Sequence, residues 1–253
     1  MCRLRESRQT GAVADGSTQD DAAVRRRLRR MAASVTMAVA PFGVVFGASA
    51  ATAGLSLIEA LGFSILVFGG SSQFAAVEIL GDGGSVASAA IAGLLLNVRS
   101  LAFGVIMAPA LTGALWQRAL MSQLMIDEAT AVGVAVADRR NRRYGYLVGG
   151  LGVFVVWNLT TLAGFVAFSG ADDLITDLGL DVAGPAAFLA LLWPRLADRA
   201  QLATAVAGAA IAVALVPFAP AGVPILASMF GVLAARLVPS RATVEGRTGI
   251  SDE

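Results

Sequence analysis

The 253-residue chain is 57% hydrophobic and 15% charged, with a formal net charge of +1, whereas a soluble domain carries about 25% charged residues. All 19 basic residues are arginine and histidine is absent, which excludes Ser-His-Asp and Cys-His catalysis, histidine metal sites and a histidine proton relay. The lone Cys2 cannot form an internal disulfide, and no cofactor or metal is expected.

Residues 1–24 are polar, without a hydrophobic period, and are predicted to be disordered. Arg25-Arg26-Arg27-Leu28-Arg29-Arg30 follows directly before the first apolar stretch. That position reads as a positive-inside anchor rather than a nucleic-acid arm. Residues 1–30 are therefore expected to form a disordered cytoplasmic tail, 31–238 a transmembrane domain, and 239–253 a polar C-terminal tail. Uncharged runs extend over Met31–Ile58, Tyr144–Ala171 and Ala200–Ala235, and a spanning helix needs about 20 mostly apolar residues.

Spans are predicted near 33–53, 60–80, 85–112, 117–137, 145–169, 182–197, 201–217 and 223–238. Arg139, Arg140, Arg142 and Arg143 should be cytoplasmic, so an even number of crossings must precede them. The linker holding Asp172, Asp173, Asp177 and Asp181 lacks basic residues and should face outward, while Arg195, Arg199, Arg236 and Arg241 return inside. The expected fold class is an all-α polytopic transmembrane bundle of about eight spans, within a range of six to eight, with both termini cytoplasmic.

Chemistry inside such a bundle falls to a few charged groups. Arg99 sits in the apolar run Gly93–Phe103 with no nearby second charge, and a charge at bilayer depth persists only where it is solvated or paired. Asp127 and Glu128 lie at comparable depth in the next predicted span and are the expected partners. Glu59 and Glu78 flank an uncharged run about one membrane thick, which places them near the interfaces. Ser71, Phe74 and Glu78 share a helix face by their spacing, and so do Gln123, Asp127 and Thr130. Asn97 precedes Arg99 by two residues and points to another side. Asn158 and Thr161 form a polar notch in the fifth span. Two small-residue clusters, Pro41–Gly47 (with Gly43 and Gly47) and Phe68–Phe74 (with Gly69 and Gly70), permit broken helices whose free N–H groups receive a carboxylate.

These motifs, in order, resemble those of the AzlC family of branched-chain amino acid permeases. Pro41-Phe42-Gly43-Val44-Val45-Phe46-Gly47 with Gly54-Leu55-Ser56 is similar to the family's opening, and Gly70-Ser71-Ser72-Gln73-Phe74 to its Ser-Gln-Phe signature. Asn97-Val98-Arg99-Ser100, Asp127-Glu128, and Pro185 to Phe188 followed by Pro194 continue the match, which covers roughly residues 32–238. Ser100 stands where the family usually has histidine, so if that histidine carries protons in relatives, this protein must use a carboxylate such as Glu78, Asp127 or Glu128, or couple differently.

The resemblance implies a multi-pass protein of the bacterial inner membrane that exports valine, leucine and isoleucine, with methionine as a further substrate. It also implies proton coupling and a small AzlD-type membrane partner. Substrate-binding and coupling candidates are Arg99, Asp127, Glu128, Gln73, Ser71, Ser72, Asn97, Glu78, Gly43 and Gly47. The alternative is a passive channel or a structural subunit of a membrane complex. An intramembrane enzyme is not expected, because Asp82 in its glycine-rich loop has no evident acidic partner.

Overall fold

The structure, a computed structural model, describes residues 3–170, 186, 189, 192–219 and 223–237. The acidic linker, the Pro185–Phe188 patch apart from Ala186, half of the predicted span 182–197 and the tail 239–253 lie outside the described residues. Every regular element among those described is helical. The elements are α1 (Arg3–Thr52), α2 (Leu57–Leu66), α3 (Gly70–Gly81), α4 (Val86–Asn97), α5 (Arg99–Met107), α6 (Leu115–Ser122), α7 (Asp127–Val134) and α8 (Arg139–Phe168). Then follow a 3-10 turn at Trp193–Ala197, α9 (Arg199–Leu215), α10 (Val223–Ser228) and a 3-10 segment at Met229–Leu237.

Local chemistry fixes these boundaries. Ser56 and Glu59 form a capping box at the start of α2: the Ser56 N–H donates to Glu59 Oε2 at 2.7 Å, and the Glu59 N–H donates to Ser56 Oγ at 3.3 Å. Glu59 is thus a cap. Ser85 caps α4 through the Ser88 N–H, Asp138 caps α8 through the Asn141 N–H, and Asp198 accepts from Ala200 and Gln201 at the head of α9. Gly83, with φ of 77°, closes α3 in the left-handed region.

Among the described residues, three helices are long and apolar enough to cross a membrane: Asp21–Thr52, Val86–Met107 and Arg139–Phe168. They coincide with the predicted spans 33–53, 85–112 and 145–169. Their outer faces are bare hydrocarbon: Leu151, Val155, Leu159 and Val166 on α8 are each more than half exposed, as are Leu94, Leu101 and Val105 on α4 and α5. Contiguous apolar surface of this kind suits lipid.

The predicted spans 60–80 and 117–137 take another form. A Cβ on Gly81, at the end of α3, would lie 3.3 Å from the Ala53 side chain, just before α2 begins. The α2–α3 segment therefore leaves the end of α1 and returns to it, as a hairpin rather than a crossing. Its turn is Val67-Phe68-Gly69. The α6–α7 segment does the same against α8. Arg143 donates to the Thr112 carbonyl at one end of the segment, and Arg142 donates to the Val136 carbonyl at the other. Between them Leu124 and Ala129 pack at Gly150, so the segment climbs roughly 12 Å along α8 and comes back. Each hairpin arm has 8–12 residues, half of what a crossing needs.

The chain divides into two compact units. Residues 3–44, 61–69 and 97–163 belong to the first; residues 45–60, 70–96 and the described residues from 164 onward belong to the second. In the first unit α1 and α8 run parallel in fixed register. Leu28 packs at Gly145, Thr36 at Gly152 and Thr160 at Gly43. Gly43 belongs to an unbroken α1, since helix continues through Pro41 to Thr52, so the expected break over Pro41–Gly47 does not occur. Gly43 serves close packing: a Cβ there would collide with Thr160 Oγ1 and sit 3.1 Å from the Trp157 carbonyl. Leu28, Ala32 and Val132 form the buried cluster between α1, α7 and α8.

Helix extends N-terminal to the apolar stretch. It covers Arg3–Thr52, and Asp21, Arg25 and Leu28 find partners on α8. Asp21 accepts from Asn141 Nδ2 at 3.0 Å and pairs with Arg140, while the Arg25 guanidinium lies 4.9 Å from the Tyr144 ring centre. Asp21 precedes the apolar part of α1, which begins at Met31. The hydrogen bond from Asn141, with Arg140 and Arg25 nearby, holds its carboxyl below the usual carboxylate range.

In the second unit Phe46 meets Phe74 edge to face, with ring centres 5.6 Å apart. Gly208 of α9 and Gly231 approach closely, a Cβ on the latter falling 2.7 Å from Gly208 Cα.

Two outcomes are expected. Gly43→Leu overpacks the α1–α8 contact and costs about 1–3 kcal/mol, lowering Tm in detergent, whereas Gly62→Leu, where a Cβ meets nothing within 4 Å, leaves Tm unchanged. Because the folded carboxyl of Asp21 titrates below its unfolded value, its contribution is present above the ordinary carboxylate range and disappears as pH falls through the lowered value. Faster amide exchange over residues 21–30 on acidification, after correction for intrinsic rates and absent in Asp21→Asn, checks this.

Candidate functional site

Within the first unit the hairpin turns converge with the start of α5. Gln123, at the turn between α6 and α7, donates from Nε2 to the carbonyls of Ile65 at 2.8 Å and Leu66 at 3.2 Å. Those carbonyls lie at the C-terminal end of α2, where helix carbonyls need donors from outside the helix. One side chain thus joins both turns.

Arg99 opens α5 and Asp127 opens α7. Arg99 Nη1 donates to Asp127 Oδ2 at 3.4 Å, which matches the expected pairing. Side-chain exposure is 44% for Arg99 and 45% for Asp127, so the pair opens onto accessible space instead of being sealed in the core. Glu128 follows on α7, partly buried. Both carboxylates occupy the first turn of α7, where the helix dipole favours negative charge. Val98 keeps helical dihedrals (φ −53°, ψ −32°) just before α5 begins at Arg99; Asn97 is the last residue of α4.

The spacing argument for Gln123, Asp127 and Thr130 fails across the α6–α7 turn. Ile126 is extended (φ −123°, ψ 163°), Gln123 reaches α2, and Thr130 Oγ1 donates to the Ile126 carbonyl. Gln123 and Asp127 come together through the turn, not through one helical face.

The remaining candidates lie elsewhere. Gly43 sits in the α1–α8 contact. Ser71, Ser72, Gln73 and Glu78 are in the second unit on α3, directly after the Gly69-Gly70 turn that was expected to break helix. Ser72 and Gln73 are fully buried, Ser71 and Glu78 partly so. Gly47 follows Phe46 on α1 in the same unit. Among the described residues no three His, Cys, Asp or Glu side chains gather as a metal set.

Tyr146 was missed from the sequence. It is fully buried, and its hydroxyl donates to the Met121 carbonyl at 2.7 Å, tying α8 to the last turn of α6. The signal was present in Gly145-Tyr146-Leu147-Val148-Gly149, a small-xxx-small pair that admits α7 closely while its aromatic residue reaches across. Gln123→Leu strips a donor from two helix-end carbonyls and costs about 1–3 kcal/mol; Tyr146→Phe costs about 1 kcal/mol. Thermal unfolding in detergent reads both as lower Tm, with Gln123→Leu the larger.

Residues 34–170, which contain both hairpins and the Arg99–Asp127 pair, match the family described as AzlC protein. An uncharacterized membrane protein of Archaeoglobus fulgidus is 34% identical over 184 residues, covering 71% of this chain and 79% of that protein. The inner membrane protein YgaZ of Escherichia coli K12 is 29% identical over 171 residues, covering 62% of this chain and 67% of its own length. No solved structure matches the chain. By the family match and the extent of these likenesses, the chain is a membrane protein that belongs to the AzlC family.

Proposed function

We propose that this protein is the large subunit of a branched-chain amino acid exporter of the bacterial inner membrane. In this reading it carries valine, leucine and isoleucine, with methionine as a further substrate, and works with a small AzlD-type membrane partner. It is a transporter without enzymatic activity. Both termini face the cytoplasm, on the side of the arginine runs.

The observation that carries the reading is the half-open Arg99–Asp127 pair at the starts of α5 and α7. A zwitterionic aliphatic substrate needs a cation for its carboxylate, an anion for its ammonium and apolar walls for its side chain. Arg99 supplies a bidentate guanidinium, Asp127 and Glu128 supply carboxylates, and helices interrupted at depth are the usual frame for such sites. The pair keeps nearly half of each side chain accessible, so the charged ends of a substrate can reach it. Proton coupling falls to Glu78, Asp127 or Glu128, since Ser100 cannot titrate in this range.

Counterflow of labelled leucine in proteoliposomes holding the chain and its partner tests the proposal. Arg99→Gln and Asp127→Asn are each expected to lower exchange at least tenfold. A double swap, Arg99→Asp with Asp127→Arg, is expected to stay inactive. Restored exchange in the swap would reduce the pair to a packing element, and absence of leucine exchange in the unmodified complex would overturn the reading.

A further inference from the structure

At the basic end of the α1–α8 pair a cleft of about 470 Å³ opens between the two helices. Ala22, Arg25, Arg26 and Arg29 line it from α1. Their spacing, i, i+3, i+4 and i+7, puts them on one face, with the small Ala22 leaving room. Arg140 and Tyr144, one turn apart, line it from the first turns of α8, whose N-terminus adds the positive end of a 30-residue helix dipole.

The cleft is built, not merely charged. Asn141 is 3% exposed and uses both ends of its amide: Nδ2 donates to Asp21 Oδ1, and Oδ1 accepts from Arg25 Nε at 3.2 Å. Arg25 is held between that bond and the Tyr144 ring. Asp21, the one acid in the lining, pairs with Arg140. Four guanidiniums face one carboxylate, a surplus that calls for an anion of higher charge or more oxygens than Asp21 offers. Arg26 and Arg29 are exposed to the opening. The apolar runs begin at Met31 and Tyr144, so the cleft lies where lipid headgroups meet the helices.

We propose that this cleft is a phosphate-binding site, of a size and position for the headgroup of an anionic phospholipid, in which the Asp21 carboxylate occupies part of the anion's place when the site is empty. Arginine forks suit phosphate oxygens, and basic pockets between helices at this level take anionic headgroups. The site is independent of the amino acid site proposed above.

Native mass spectrometry of the full chain, with phosphatidylglycerol or phosphatidylcholine added to the detergent, tests it. Phosphatidylglycerol adducts are expected at a concentration at least tenfold lower than phosphatidylcholine adducts. Each arginine contributes about fivefold, so Arg26→Gln with Arg29→Gln should abolish the preference. Arg27→Gln with Arg30→Gln removes the same charge from the same run outside the cleft and should leave it within about twofold. Asp21→Asn should strengthen it. Displacement of the lipid by millimolar inorganic phosphate would identify a soluble phosphate anion as a competent ligand, and no displacement would assign the site to the lipid headgroup. Equal loss in both arginine doubles, or no preference for phosphatidylglycerol together with no phosphate adduct, would overturn the proposal.

Discussion

The register of α1 against α8 is the contact on which the first unit depends. Three glycines, at positions 43, 145 and 152, let the two backbones approach with Leu28, Thr36 and Thr160 seated opposite them. Between lipid-facing helices there is little hydrophobic force, since lipid tails are as apolar as leucine. Close van der Waals packing through small residues takes its place. The same contact sets the depth of every group that hangs from α8. Gly145, Gly149 and Gly150 receive Val132, Ala129 and Leu124, and Tyr146 receives the Met121 carbonyl. Moving α8 by one turn would move the α6–α7 hairpin with it.

The hairpin turns show how a chain tolerates interrupted helix at depth. A helix that stops inside an apolar layer exposes carbonyls at one end and N–H groups at the other. Gln123 answers the carbonyls at the end of α2. Asp127 and Glu128 sit where the N–H groups of α7 emerge, and Arg99 balances part of their charge. The electrostatics that stabilise the turns are therefore the same that a charged substrate would meet.

Much of this was legible in the sequence, and the failures have physical causes. Two of the three long helices, Asp21–Thr52 and Arg139–Phe168, overlap the uncharged runs that predicted them, while Val86–Met107 is apolar enough in spite of Arg99, and the run 200–235 yields only shorter apolar helices. Arg99 with Asp127 followed from the cost of an unpaired charge. The hairpins were not legible: a 20-residue apolar segment reads as a crossing whether or not it turns back, and only tertiary contacts such as Gly81 with Ala53 tell the two apart. Gly43 misled because small residues next to a proline serve broken and closely packed helices equally. Gly69-Gly70 had the same ambiguity and does break. The run from Arg25 to Arg30 looked like a loose anchor, since its ordering depends on Asn141 and Tyr144, more than a hundred residues away.

The parallel run of α1 and α8 also carries a rule of parity. Two helices that cross a layer in the same direction require the chain between them to cross an odd number of times. Among the described helices between them, Val86–Met107 is the one long and apolar enough for such a passage.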